Sequence, residues 1–270
     1  MQSRPHKTAS FLSAHPVFTR AEFAAAFGHP TGAANVTSLL RHHLRAGNIK
    51  RVSREVFAAV PAHLPAERMV IDRFAAASKL RPDGVLGFHS ALELHGIAYS
   101  EFSEVQLISA GRAELVDLPF GACRFIATPK ALAAAGKADD LTMSMDRQGV
   151  AIRVTAVERT VVDVLHRPEL AGGVEEVLKS LDLVRYLDPA KVADYVELLD
   201  NRSLASVSGW WLETRRAALG VTDDILARLR ARLPRSKHYA LGGQPGHAVL
   251  VEPWRVLLPP QAVDAAFEGV

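Results

Sequence analysis

Between Arg41 and Arg54 the chain carries five cations (Arg41, Arg45, Lys50, Arg51 and Arg54) and no acid. On a helix, at about 100° per residue, Arg41, His42 and Arg45 share a face with Ala34 and Ser38. Small residues therefore come first and cations later. A helix that enters the DNA major groove needs that order, because its N-terminal turns must approach base edges closely. The candidate DNA contacts are Thr31, Ala34, Asn35, Ser38, Arg41, His42 and Arg45, followed by Lys50, Arg51 and Arg54.

The charge balance of the whole chain hides this. Its formal net charge is only +3. Residues 1–63 hold eight Lys and Arg against Glu22 and Glu55, a net of +6, whereas the remainder is mildly acidic at −3. That asymmetry is expected of a nucleic-acid-binding module attached to a neutral body. Six of the eleven histidines (His6, His15, His29, His42, His43 and His63) lie in the same module and add charge below neutral pH.

Other chemistry is hard to find. The chain has no Gly-x-Ser-x-Gly elbow, phosphate loop, dinucleotide fingerprint or Asp…Glu-x-Lys nuclease core. Gly242–Gly246 is glycine-rich but does not lead from a strand into a helix, so it reads as a hairpin turn. Arg159 and Asp163, at i and i+4, read as a surface ion pair. Asp139-Asp140 has no partner carboxylates at a persuasive metal-binding spacing. His89 and His95 flank one short helix and read as helix-end histidines satisfied by backbone groups. The expectation is no catalytic residue, no cofactor and no metal site.

The elements that must position the cations follow from local signals. Thr19 and Glu22 form a capping box, so a helix should start at Arg20, with Phe23, Ala24 and Phe27 inward and Gly28 as its stop. His29-Pro30-Thr31-Gly32 is turn chemistry, with Thr31 as the expected cap of the next helix. That helix turns Val36, Leu40 and Leu44 inward, with Leu39 at the edge, and ends at Gly47. Ile49–Ser53 and Val56–Ala59 read as strands joined at Arg54-Glu55. Met1–Pro5 is expected to fray, and His6–Ala14 to form a first helix with Phe11 and Leu12 inward. Helix, turn, helix and two-stranded ribbon together make a winged helix-turn-helix.

Composition bounds the rest. At 270 residues and 49% hydrophobic, the chain can bury a substantial core and make about two domains. One cysteine, Cys123, with no secretory pattern, points to the cytoplasm, and no run of residues approaches a membrane span. The boundary is placed after residue 63, giving a DNA-binding domain over 1–63 and a larger mixed α/β domain over 64–270. The fold class is α+β. In the second domain helices are expected over Glu67–Leu80, around Ser90 up to Gly96, over Ala156–Leu165 behind a Thr155–Glu158 capping box, and over Val174–Leu183. Further helices are expected over Ala190–Leu199 behind Asp188-Pro189, Ser208–Leu219 and Asp224–Leu233. Strands are expected at Val85, Glu104–Ser109 and Cys123–Ala127. Two hairpins should follow, one pairing Leu141–Met145 with Val150–Val154, the other Lys237–Leu241 with Ala248–Leu258.

An ordered set of short segments resembles the AbiEi family, the antitoxins of type IV toxin–antitoxin (abortive-infection) systems. The segments are Phe18-Thr-Arg-Ala-Glu22, Leu40…Leu44…Gly47-Asn-Ile-Lys-Arg51-Val52, Ser90-Ala-Leu-Glu-Leu-His-Gly96 and Val154-Thr-Ala-Val-Glu-Arg-Thr-Val-Val-Asp163. Arg167-Pro168 and Gly172-Gly173 complete it. The resemblance implies a winged-helix repressor that acts on its own operon at inverted repeats in double-stranded DNA. It also implies a C-terminal domain that neutralises a nucleotidyltransferase-like toxin without requiring a stable complex. The sequence departs from the family at the wing, where Arg-Gly-x-Tyr is replaced by Arg54-Glu55-Val56-Phe57. This removes an easy positive-φ residue and places an anion where the wing tip would approach phosphate. Two other classes remain: a winged-helix regulator whose body senses a small ligand, and an enzyme that uses the DNA module for targeting.

Overall fold

Local signals account for the start of α2 and for the ends of α2 and α3 in the N-terminal region. The structure, a computed structural model, describes residues 4–267. α1 (Arg4–Ala14) is followed by β1 (Val17–Thr19), α2 (Arg20–Ala26), α3 (Ala34–Arg45), β2 (Ile49–Arg51) and β3 (Val56–Ala59). The capping box of α2 is complete. The Glu22 N–H donates to Thr19 Oγ1 at 3.1 Å, and the Thr19 N–H donates to Glu22 Oε2 at 2.7 Å. Gly28 and Gly47, at φ +69° and +70°, follow α2 and α3 in the left-handed conformation that glycine adopts at little cost.

Two expectations need correction here. Thr31 does not cap α3; the N-cap is Ala33, which makes no side-chain bond. A turn closed by the Ala33 N–H on Pro30 O, at 3.0 Å, carries the chain past Thr31 before helical geometry begins. Of the segment expected to fray, Met1–Ser3 lies outside the described residues. Arg4 and Pro5 open α1, where a proline sacrifices no hydrogen bond.

β3 lies between β1 and β2, antiparallel to both, with Phe18 opposite Phe57 and Lys50 opposite Ala58. Phe11, Phe18, Phe23, Val36, Leu40, Ile49 and Phe57 are buried in one cluster between these strands and the three helices. Phe11 meets Phe18 and Phe23 edge-on, with centroids 5.2 and 5.3 Å apart. Burying each large side chain stabilises this small core by about 1.5–3 kcal/mol. Leu12, Leu39 and Leu44 are only partly buried at its margin.

By contacts, the chain forms two units, drawn at a different place from the 63/64 division. The first unit comprises 1–86, 103–127 and 144–154; the second comprises 87–102, 128–143 and 155–270. Besides the winged-helix elements, the first contains α4 (Arg73–Ser78), β4 (Val85–Leu86), β5 (Val105–Ser109), β6 (Glu114–Leu118), β7 (Gly121–Ala127), β8 (Thr142–Arg147) and β9 (Val150–Thr155), the last two crossing its limits by a residue or two. These strands form a mixed sheet ordered β6-β7-β5-β4-β9-β8. The helix expected over Glu67–Leu80 begins only at Arg73. Asp72 caps it by accepting from the Ala75 N–H at 2.9 Å, leaving Val70 outside and 89% exposed. The hairpin β8–β9 turns at Gln148 and Gly149, both at positive φ, as a two-residue turn requires. β6 was not expected; it is an exposed edge strand with no clean apolar alternation. Lys79 Nζ donates to Glu22 Oε1 at 2.5 Å, and Lys50 Nζ to Met69 O at 3.0 Å.

The second unit is mainly helical. It contains α5 (Phe88–Leu94), α6 (Lys130–Ala134), α7 (Val157–His166), α8 (Val174–Leu181), α9 (Pro189–Leu199), α10 (Arg202–Thr214), α11 (Arg216–Leu219), α12 (Asp223–Arg230) and α13 (Pro260–Phe267). α7 packs against α5, α9 and α10 and buries seven consecutive residues, Arg159 to Leu165. Its capping box does not form. Thr155 ends β9 and bonds Thr160, Ala156 becomes the N-cap, and Glu158 accepts from the Asp188 N–H instead. Asp188 and Pro189 do open α9. α10 starts earlier than expected, behind the Asn201 cap, and stops at Arg215 rather than running to Leu219. The expected C-terminal hairpin is also wrong. β12 (Val256–Leu258) lies between β10 (His238–Tyr239), parallel to it, and β11 (Val249–Val251), antiparallel to it. The Gly242–Gly246 loop therefore joins two strands that do not pair with each other. The whole is an α+β fold: an N-terminal winged helix-turn-helix followed by a larger mixed body. No helix among the described residues is long and apolar enough to cross a membrane.

Candidate nucleic-acid interface

The face of α3 opposite its core contacts is the surface the sequence marked. Val36 and Leu40 are buried. One half-turn away, Ala34, Ser38, Arg41, His42 and Arg45 are all exposed, and Thr31 is exposed in the preceding turn. Among the described residues Arg41 and Arg45 make no hydrogen bond or ion pair. Two guanidinium groups with no protein partner, on the outward face of one helix, leave every donor free for an anion or a base edge.

The remaining candidates are less free. Asn35 is exposed, but its Nδ2 donates to His29 Nε2 at 2.8 Å and its Oδ1 accepts from the Val36 N–H at 2.9 Å. Lys50 is half-buried and spends one of its three donors on Met69 O. Arg51 is exposed, with its guanidinium 5.4 Å from the centroid of Phe57. Arg54 is 93% exposed, and its Nε lies 3.6 Å from Glu55 Oε1. His43 faces partly inward; burial, and then the neighbouring His42, hold its imidazole below the usual histidine range, which favours the neutral form. Arg20, Thr37 and His29 were not singled out from sequence, yet each bonds a residue of this interface or lies in it. No spacing rule relates Arg20 to partners 17 and 35 positions away, so only the folded chain reveals them.

The other groups considered as sites resolve differently. His95 Nε2 lies 2.7 Å from the carbonyl oxygen of Thr155, the backbone contact expected of it. His89 departs from that expectation. It is fully buried, with Nδ1 3.1 Å from Glu93 Oε1 and Nε2 3.2 Å from Glu176 Oε1, and its ring stacks on Phe102 at 3.6 Å. Burial pushes the Glu176 carboxyl up, but hydrogen bonds from Ser100 and His89 outweigh it and hold the group below the usual carboxylate range.

Arg159 and Asp163 are not a surface pair. Both are buried, Arg159 Nη1 donates to the carbonyls of Ala138 and Asp140 at 2.9 Å each, and Tyr195 Oη donates to Asp163 Oδ1 at 2.9 Å. The apolar neighbours of α7 exclude water from a helix face that the i, i+4 spacing alone could not place. Burial pushes the Asp163 carboxyl up against the opposing pull of Arg159. Arg159 therefore pins the 138–140 loop to α7. Burial also pushes the Cys123 thiol up to about 12, which leaves it an unreactive thiol. Among the described residues no group of three or more His, Cys, Asp or Glu side chains is placed to hold a metal ion.

Neither a protein-family model nor a curated protein matches the sequence. Among solved structures, the chain is similar to the crystal structure of the RV2827C protein from Mycobacterium tuberculosis. The TM-score is 0.58 at 16% sequence identity, covering 99% of this chain and 96% of that one. At that identity the likeness is one of fold, and it extends over nearly the whole of both chains.

Proposed function

We propose that this protein is a DNA-binding transcriptional repressor of its own operon and the antitoxin of a type IV toxin–antitoxin pair. The observation that carries the DNA reading is the outward face of α3, with Arg41 and Arg45 exposed and, among the described residues, unpartnered on a module of net charge +6. Two copies meet an inverted repeat with half-sites spaced by whole helical turns, α3 lying in the major groove. The antitoxin role rests on the ordered segments from Phe18 to Gly173 that resemble the AbiEi family. In this role residues 64–270 oppose a cytoplasmic nucleotidyltransferase-like toxin, with no catalysis or cofactor of their own.

The test uses the full chain. Cells expressing the product of the gene adjacent to this one, expected to be nucleotidyltransferase-like, are grown with wild-type protein or with the Arg41→Ala/Arg45→Ala variant. Both proteins should restore growth, while the variant no longer represses a reporter placed behind the region upstream of its own coding sequence. If the variant loses protection together with repression, the two activities are not separate. If neither protein protects, the chain is a winged-helix repressor of another kind.

A further inference from the structure

Glu55 is the one acid in the wing, at a position where an isolated carboxylate would repel phosphate. Its surroundings change that role. The Glu55 carbonyl oxygen accepts from the Arg20 N–H at 2.7 Å. Its Oε2 lies 3.4 Å from Arg20 Nε, close enough for an ion pair though not aligned as a hydrogen bond. Its Oε1 lies 3.6 Å from Arg54 Nε. The Arg20 guanidinium also reaches the other way, donating from Nη1 to Thr37 Oγ1 at 3.0 Å. Arg20 opens α2, Thr37 sits in α3 one residue before Ser38, and Glu55 forms the wing tip. One guanidinium, carried by α2, thus touches both α3 and the wing. The Arg20 side chain is only 18% exposed against 93% for Arg54, and both face the same half-exposed Glu55 carboxylate, so the Arg20 pair is the less screened of the two.

We propose that Arg20 and Glu55 form a clasp that fixes the wing against α3, making Arg20 a positioning residue for DNA and leaving Arg54 as the phosphate-reaching end of the wing. This rests on the DNA-binding role proposed above. In the clasp the single carboxylate faces two guanidinium groups, so the tip carries a net positive charge despite Glu55. The missing wing glycine fits the same picture: Glu55 is not in the left-handed region, its N–H donates to Ser53 Oγ at 3.3 Å within the turn, and its contacts with Arg20 tie that turn to the rest of the module. Fixing two contact elements at one spacing before binding removes ordering cost from the complex. The alternative, in which Glu55 only repels DNA, predicts the opposite sign for its removal.

The experiment uses the full-length protein and a duplex spanning the region upstream of its own coding sequence. Glu55→Gln should bind about two- to fivefold more weakly, as expected for losing a half-exposed ion pair. The Arg20→Gln/Glu55→Gln double variant should be no weaker than the weaker single variant, because the two share one interaction. Hydroxyl-radical protection by the wing should disappear while protection by α3 stays, a pattern that general destabilisation would not produce. Arg20→Lys should recover part of the affinity, since an ammonium can reach only one of the two acceptors at a time. In the free protein, amide exchange at Arg20 and Val52–Val56 should accelerate in Glu55→Gln.

Tighter binding by Glu55→Gln, additive losses in the double variant or an unchanged footprint would overturn the positioning role. Unchanged amide exchange would overturn the clasp itself, whatever the DNA result. If the wild-type protein binds no duplex, the DNA-binding role fails and the positioning role with it. The exchange measurement still decides whether the clasp exists.

Discussion

Replacing Arg41 and Arg45 by alanine perturbs the proposed interface without disturbing what holds it together. Both side chains are exposed and unpartnered among the described residues, so the substitutions should change folding stability by no more than about 0.5 kcal/mol each. Binding should respond differently. If either arginine reads a guanine edge, its loss costs about 1–3 kcal/mol and falls mainly on the preferred sequence. If it contacts phosphate, the loss is similar on every duplex, and the slope of log K against log salt shallows by about 0.9 per cation. The structure also bounds the starting slope. Among the described residues Arg41, Arg45 and Arg51 have no hydrogen-bond or ion-pair partner, whereas Lys50 and Arg54 are partly engaged. Three contacts give a slope of about −2.7 and five about −4.5. Anisotropy titrations of a labelled upstream duplex, and of an unrelated duplex, between about 50 and 200 mM salt separate these cases. A flat wild-type slope, or a double variant with wild-type affinity and slope, would refute the assignment of α3 as the DNA-contacting helix.

Two further outcomes follow from groups away from that face. Arg159→Ala should cost about 3–5 kcal/mol in denaturant unfolding, because it strands a buried Asp163 and two carbonyls; Arg159→Met with Asp163→Leu should recover part of the loss, and a cost below about 1 kcal/mol would mean the pair is not dry. Burial pushes the Glu22 carboxyl up, but Lys79 and Thr19 outweigh it, so its net pKa is lowered. The stability it contributes is present above the ordinary carboxylate pKa and disappears as pH falls through the lowered value. The urea midpoint should therefore drop between about pH 5 and pH 3, and less so in Glu22→Gln; identical profiles would remove Glu22 from acid unfolding.

The sequence by itself determined the elements whose signals are local. Thr19 and Glu22 make a capping box within four residues, Gly28 and Gly47 stop the helices they follow, and the spacing of Val36 and Leu40 fixes which side of α3 is buried. Once that side is known, the opposite face with Arg41 and Arg45 follows from helical geometry alone. The Asp188-Pro189 start of α9 and the β8–β9 hairpin are set in the same way, although β8 runs on to Arg147 and the turn is Gln148-Gly149 rather than the four residues from Asp146 that the sequence suggests. Local signals failed where a neighbour distant in sequence competed for the same group. Glu158 could cap α7, but it bonds the Asp188 N–H 30 residues later. Arg159 and Asp163 have the spacing of a surface pair, yet packing around α7 buries both. The C-terminal strands could form a hairpin, but β12 inserts between them. The partners of Glu55 were likewise decided only by the tertiary structure, because a charge has a sign in the sequence but acquires neighbours only in the fold. Whether Glu55 repels phosphate or holds the wing depends on Arg20 lying 3.4 Å away, across 35 residues of chain.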